Sequence, residues 1–369
     1  MARIAIIGAG PAGSSAGWHL ASRGHDVTLI DRADFPRDKV CGDWLTPMAL
    51  AELARLGLDA PALDRKLTDP VMILATELVA PSGAQSLWAL ETPGRCIPRR
   101  QLDGWIRDQA IAAGCHFEQR TIRQVDRHDP VWQGVDHLID ARGASAGPTH
   151  AMGLRAYWTV ANSGPLAERA AQVALITDRQ QRQGYGWIFP VERSAHTLRF
   201  NMGIGLWKGR GTETPSATAF YERFIQTNPV ARQIVAEAQA SDKRAGFPLR
   251  LGATHTRVER DGVLLIGDAA GLADPLTGDG IGNALCSGRL VAEAIDAASA
   301  ASRPLTPAWQ LGFDQHFRPE FRRAEWLRSL LTPTLAKEMT ARLLKRGPAP
   351  LRAAVHRALF GQAPYRALF

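Results

Sequence analysis

The sequence predicts an α/β protein: a Rossmann-like nucleotide-binding domain, interrupted by an antiparallel-sheet domain and followed by a helical C-terminal cap. Three observations predict it. The chain opens with a strand-helix-strand pattern carrying Gly8-x-Gly10-x-x-Gly13, strand-like runs spaced by turn residues fill residues 154–206, and an apolar strand at Val263–Ile266 leads into a second glycine-rich turn and a small-residue helix. Strands alternating with helices build parallel sheets, whereas successive short strands build antiparallel ones.

In the opening unit, Ile4–Ile7 is an apolar run of buried-strand type. Gly8 makes the tight turn, Gly10 lets the backbone approach a phosphate, and Gly13 lets the helix pack on the strand, with Pro11 and Ala12 starting that helix. Its free N–H groups and dipole favour a pyrophosphate. The helix runs to about Arg23 and Gly24 ends it. Val27–Ile30 then delivers Asp31, placed to accept from a ribose hydroxyl, with Arg32 beside it. This pattern predicts a dinucleotide site and leaves NAD and FAD both open.

A chain of 369 residues, 45% hydrophobic and 22% charged, supports two or three structural units around substantial cores. It begins directly with a strand, without a basic-then-apolar leader, and no apolar run approaches the roughly twenty residues of a membrane span. A cytoplasmic setting is expected. Cys41, Cys96, Cys115 and Cys286 are scattered without metal-binding spacing, so neither a metal site nor a disulfide framework is expected. The net charge is +8 and the pI about 9.7, but the basic residues form no stripe interleaved with aromatics, and nucleic-acid binding is not expected.

After Asp31, residues 32–47 form a proline-interrupted loop whose Arg37 and Lys39 can reach the phosphates of the same cofactor. A helix follows from about Met48 to Leu56, ended by Gly57. Residues 67–97 alternate as strands around a Pro81-Ser82-Gly83 turn, and helical spacing resumes from Arg99 to Gly114. Cys115–Val125 reads as a strand, with Val125 a further cofactor contact, and His137–Asp140 as another that breaks into a glycine loop. Helices are expected at Ser216–Thr227 and Val230–Ala240, with a hairpin-like return from Arg257 to Gly267. Residues 1–66, 99–150 and 250–303 thus compose the nucleotide-binding domain, 67–98 and 151–249 the substrate domain, and 304–369 the C-terminal helical region.

The segment Gly267-Asp268 through Asn283 decides the cofactor. An apolar strand ends in Gly-Asp, a Pro/Gly loop follows, and a small-residue helix starts near Gly280, giving a second helix N-terminus able to face an anionic or electron-rich group. Here the chain resembles the FAD-dependent flavoproteins of glutathione-reductase type, in the branch of geranylgeranyl reductases, aromatic hydroxylases and flavin-dependent halogenases. The resemblance rests on Phe35-Pro36-Arg37-x-Lys39-x-Cys41-Gly42, Tyr185-Gly186-Trp187-Ile188-Phe189-Pro190 and Pro275-Leu276-Thr277-Gly278-Asp279-Gly280-Ile281. It implies FAD, with Asp268 at the ribityl phosphate, the backbone from Gly278 through Asp279, Gly280 and Ile281 along the flavin pyrimidine edge, and Arg99 on the phosphates.

Departures from that pattern bear on the reaction. Arg142-Gly143 stands where NADPH-using hydroxylases of the branch carry Asp-Gly, so the expected electron source is a separate flavin reductase or an unusual approach of NAD(P)H. Val191 replaces a lysine common in the reductases, which argues against an isoprenyl-diphosphate substrate, and the halogenase Gly-Trp-x-Trp pattern retains only Trp187. The leading expectation is an FAD-dependent monooxygenase hydroxylating a bulky aromatic or apolar group, free or borne by a carrier or peptide, a protein tryptophan for example. The alternative is a geranylgeranyl-reductase-like ene reductase of a prenyl or lipid chain. A halogenase, or a non-catalytic flavoprotein assisting a protein client, ranks below both. Cys41 as acid, with Trp187 and Pro275 in the pocket, forms the expected catalytic set.

Residues 307–369 read as helices carrying Arg318, Arg322, Arg323, Arg328, Lys337, Arg342, Lys345, Arg346, Arg352 and Arg357 among apolar residues. A solvated face capping the domain is expected ahead of contact with a membrane surface or acidic partner.

Overall fold

The computed structural model describes residues 1–180, 183–208, 216–252, 258–301 and 304–368. Strand β1 (Arg3–Ile7) buries Ile4 to Ile7, and Gly8, at φ +110°, turns the chain into helix α1 (Pro11–Ala21). A Cβ on Gly13 would lie 1.8 Å from the Gly8 carbonyl oxygen, so the crossover closes only with glycine there. The helix ends two residues before Arg23, and Gly24 turns into β2 (Asp26–Asp31) at φ +84°.

A short strand β3 (Trp44–Leu45) precedes α2 (Pro47–Arg55), whose N-terminus is capped by the Thr46 hydroxyl accepting from the Ala49 N–H. Helix α3 (Ala60–Arg65), β4 (Met72–Val79), β5 (Gln85–Cys96) and α4 (Arg99–Ala112) follow. The strand expected through Val125 is shorter: β6 spans only His116–Gln119. Beyond it, the backbone is held by a side chain instead of a ladder, because the Arg142 guanidinium donates to the Arg123 carbonyl oxygen at 2.6 Å.

The chain continues through β7 (His137–Asp140), β8 (Ala151–Ala161), α5 (Gly164–Ala167), β9 (Gln172–Ile176), β10 (Gly184–Arg193), β11 (Thr197–Trp207), α6 (Ala217–Thr227) and α7 (Pro229–Ala236). Helix α7 ends before the expected Ala240, which instead begins β12 (Ala240–Ser241), and β13 (Ala245–Leu249) follows. Arg257, where the return hairpin was placed, and the boundary at residue 303 lie outside the described residues. That return contains β14 (Glu259–Arg260) and β15 (Val263–Leu265). The remaining helices are α8 (Ile281–Ala301), α9 (Leu305–His316), α10 (Arg318–Leu331), α11 (Thr334–Arg346) and α12 (Ala349–Leu359).

Two sheets result. The six-stranded sheet has the order β14-β15-β7-β1-β2-β6, parallel except for the β14–β15 pair. Helices α1, α8 and α9 cover it, and fully buried Trp309 on α9 donates to the Val258 carbonyl oxygen at 3.1 Å. The nine-stranded sheet has the order β12-β8-β11-β10-β9-β4-β5-β3, with β13 also on β8. Helices α6 and α7 bury Phe220, Tyr221, Phe224 and Ile234 against it. The active-site cavity lies between the two sheets.

Candidate active site

The strand ends of the six-stranded sheet form the first wall. Asp31, at the end of β2, accepts from the Ala9 N–H at 2.8 Å and the Ala33 N–H at 2.9 Å, which fixes its carboxylate beside the glycine turn. Across that turn lies Arg37, one guanidinium nitrogen 3.3 Å from where a Cβ on Gly10 would sit. Arg37 also meets Asp103 at 2.7 Å, and buried Arg99 grips the same carboxylate through two bonds of 2.6 and 2.8 Å. Burial works to raise the Asp103 carboxyl, and the two arginines overcome it, holding the group below its ordinary range. Two guanidiniums against one carboxylate leave positive charge beside a bare helix N-terminus. That arrangement fits a pyrophosphate.

The second wall comes from β15 onward. Asp268, 9% exposed, meets Lys39 at 3.0 Å, so two segments remote in sequence form one edge. The Asp274 carboxylate accepts from the Leu276 and Thr277 N–H groups at 2.8 and 2.7 Å and from the Tyr365 hydroxyl at 3.0 Å, folding the loop that precedes α8. Asp279 caps the start of α8 through the Ile281 N–H at 3.3 Å and accepts from the Thr46 hydroxyl at 3.2 Å. Burial and then the Asp274 charge push Asp279 up to about 6.

The third wall is the nine-stranded sheet. A Cβ on Gly42 would come within 2.7 Å of the Phe189 ring, so the Cys41–Asp43 turn lies directly on β10. Asp43, a non-glycine residue at φ +66°, is fully buried and accepts from the Tyr157 hydroxyl at 2.6 Å and the Asn201 side-chain amide at 2.8 Å. Asn201 also donates to the Cys41 carbonyl oxygen at 2.7 Å and accepts from the Trp187 indole at 2.9 Å. Burial raises Asp43 to about 6, against the opposing pull of Tyr157 and Asn201. Burial likewise raises the Cys41 thiol, which keeps it protonated near neutrality.

These walls enclose a cavity of about 1580 Å³. Drug-sized sites run to roughly 1,000 Å³, so this volume accommodates a dinucleotide with a substrate beside it. Gly8, Gly10, Pro11, Ala12, Asp31, Arg32, Arg37, Lys39, Cys41, Arg99, Trp187, Asp268, Gly278, Asp279, Gly280 and Ile281 all line it. Of the expected site residues, Gly13, Val125 and Pro275 do not. Gly13 works through helix packing, and Pro275 is buried, its carbonyl oxygen accepting from the Trp207 indole at 3.0 Å. Val125 packs against the core, and Arg120, Thr121, Ile122 and Arg123 from the preceding loop face the cavity instead.

Arg142 lines the cavity while its guanidinium is engaged with Asp140 at 2.8 and 3.0 Å. Sequence reasoning missed Asp43, Tyr157, Asn201 and Phe247, and it missed the contribution of Phe317, Phe321 and Phe360 from the C-terminal helices.

Comparison with known proteins bears on the cofactor and the chemistry. The family described as DAO, FAD dependent oxidoreductase, matches residues 3–63. Menaquinone reductase of Mycolicibacterium smegmatis is 30% identical over 382 residues, covering 96% of this chain and 88% of that protein. Digeranylgeranylglycerophospholipid reductase 1 of Methanopyrus kandleri is 27% identical, covering 91% of this chain and 92% of its own. Among solved structures, a geranylgeranyl bacteriochlorophyll reductase-like protein from Thermoplasma acidophilum superposes with a TM-score of 0.72 at 18% identity, covering 94% of this chain and 91% of its own. The flavin-dependent brominase Bmp2 does so at 0.74 and 19%, covering 98% and 93%; these two likenesses concern the fold.

Proposed function

Because the chain belongs to the FAD-dependent oxidoreductases of the geranylgeranyl reductase and menaquinone reductase group, we propose that it is an ene reductase, saturating a carbon–carbon double bond in an apolar, isoprenoid-type chain. Gly8, Gly10, Asp31, Arg37 and Arg99, which line the cavity, would hold the adenosine diphosphate half of FAD, and Lys39, Asp268 and the Gly278–Ile281 backbone would hold the flavin half. Reduced FAD, when bound, supplies the hydride.

One observation carries the reading: Cys41 lines the cavity, its thiol kept protonated by burial and its backbone fixed through Asn201. Alkene reduction needs a proton donor for the second carbon, and the Cys41 S–H is the group suited to give it, leaving a thiolate beside Arg99 and Lys39. Trp44, Trp187 and Phe189 line the cavity with apolar surface and exclude water. Val191, 3% exposed, packs in the same apolar cluster as Trp187 and Phe189 and does not line the cavity. The names of the two relatives, a menaquinone reductase and a digeranylgeranylglycerophospholipid reductase, support the same substrate class. With Arg142 committed to Asp140, electrons come from a separate reductase or from NAD(P)H approaching elsewhere.

Oxygenation of an aromatic group is the second reading, favoured by the stacked Trp187 and Phe189 rings, 6.2 Å between centroids. The mass change of a polyprenyl quinone incubated with reduced holoprotein separates the two. Gain of two hydrogens under nitrogen that persists after air has reoxidised any quinol supports reduction of the chain, and gain of one oxygen in air alone overturns it.

A further inference from the structure

The C-terminal helices do more than close the cavity. Thirteen large hydrophobic side chains are exposed among the described residues, and Trp326, Leu330, Leu335, Met339 and Leu351 fall within one short stretch of these helices. Helices α10 and α11 meet at residues 332–333, so Leu330 and Leu335 flank one corner. Trp326 and Met339 lie one turn back along each helix, exposed by 51% and 60%. Further along the same outward stripes the exposed residues become cationic: Arg322 on α10, and Arg342 and Arg346 on α11. Residues 304–369 hold eleven Lys and Arg against four Asp and Glu, so this region carries seven of the formal net charge of +8.

We propose that the α10–α11 corner docks on an anionic lipid surface. Exposed apolar side chains at a corner, with arginines set one to two turns behind them, match the layering of a bilayer interface, where acyl chains underlie anionic headgroups. An acidic protein partner would draw on the arginines but leave the apolar corner unexplained. No described helix is long and apolar enough to cross a membrane, so the contact is peripheral. A second cavity lies directly beneath the corner, lined by Leu331, Thr332 and Thr340 and by Leu78 of the nine-stranded sheet. It shares Tyr185, Trp207 and Phe360 with the active-site cavity. The corner therefore borders a cavity that adjoins the active-site cavity. The inference goes beyond the proposed reaction, and lipid docking stands or falls separately from it.

The test is sedimentation of the FAD-loaded full chain with vesicles of phosphatidylcholine alone or mixed with phosphatidylglycerol, at low and high salt. Binding to the mixed vesicles that is lost at high salt is expected. Leu335→Asp with Met339→Asp, and separately Arg342→Glu with Arg346→Glu, each lower that binding at least about tenfold while FAD content and melting temperature stay at the wild-type values. Quenching of tryptophan emission by brominated lipid falls in Trp326→Phe. No sedimentation with anionic vesicles, or sedimentation of both double variants at the wild-type level, overturns the proposal. So does a dimer in light scattering that Leu335→Asp with Met339→Asp dissociates, because the corner is then a contact between copies of the chain.

Discussion

Tyr157 donates its hydroxyl to the buried Asp43 carboxylate over 2.6 Å, joining the nine-stranded sheet to the loop that carries Cys41. Asn201 extends the link to the Trp187 indole and the Cys41 carbonyl oxygen, so one carboxylate sets the positions of two of the three expected catalytic residues. Asp43→Ala leaves those donors without their acceptor in a buried place, and a loss of about 1–3 kcal/mol is expected in denaturant unfolding. Turnover falls with it.

The same carboxylate has a pH signature. Burial raises Asp43 to about 6 in the folded protein, above its ordinary value of 3.8. Between these values the folded state holds the extra proton, so its contribution is complete below the lower value and is lost as pH rises through about 6. Asp43→Asn has no such titration. The stability difference between wild type and Asp43→Asn should therefore shift in favour of wild type as pH falls from 7 to 4, read by urea unfolding at each pH. A pH-independent difference contradicts the assignment.

Cys41→Ala removes the proton donor and leaves the cofactor walls intact. Reoxidation of the reduced holoprotein by an alkene substrate should slow by about 10²-fold or more, with FAD content unchanged. Wild-type rates in Cys41→Ala would assign the proton to another group.

Gly10 and Gly13 separate cofactor approach from packing. A Cβ at Gly10 points towards Arg37 at 3.3 Å, whereas one at Gly13 collides with the Gly8 carbonyl oxygen at 1.8 Å. Gly10→Val should fold, with wild-type circular dichroism, and purify without FAD. Gly13→Val should fail to fold stably, as seen by loss of a cooperative melt.

His356 fastens α12 to the nine-stranded sheet, hydrogen-bonded to Thr76 and stacked on Trp88. Burial, and then Arg357, lowers it to about 4 from 6.5. The unfolded chain therefore takes up the proton first, and the stability His356 contributes is lost as pH falls from 6.5 through about 4. Deuterium exchange over residues 349–359 should speed up on acidification in wild type and respond less in His356→Gln.

Features set by neighbouring residues were legible in the sequence. The β1–α1–β2 unit, its glycines and Asp31 are local in the chain, and the Asp268 segment carries its own strand, turn and helix start. The Asp43 hub was not legible, because its partners lie 114 and 158 residues away and its φ of +66° has no signature in a non-glycine residue. The short β6 escaped for a similar reason, since Arg142 holds the loop after it from 19 residues further on. The C-terminal helices read correctly as helices. Their periodicity could not show that Phe317, Phe321 and Phe360 face the cavity, because that depends on how the helices dock.

The central claim is that this cavity passes reducing equivalents from FAD to a carbon–carbon double bond with Cys41 as the acid. Mixing photoreduced holoprotein with a polyprenyl quinone under nitrogen in a stopped-flow spectrometer tests it most directly. The account predicts that the oxidised flavin spectrum returns without oxygen, at a rate that rises with substrate concentration, with a product that stays heavier by two hydrogens after air has reoxidised any quinol. A flavin that stays reduced under nitrogen and reoxidises only when air is admitted would contradict it.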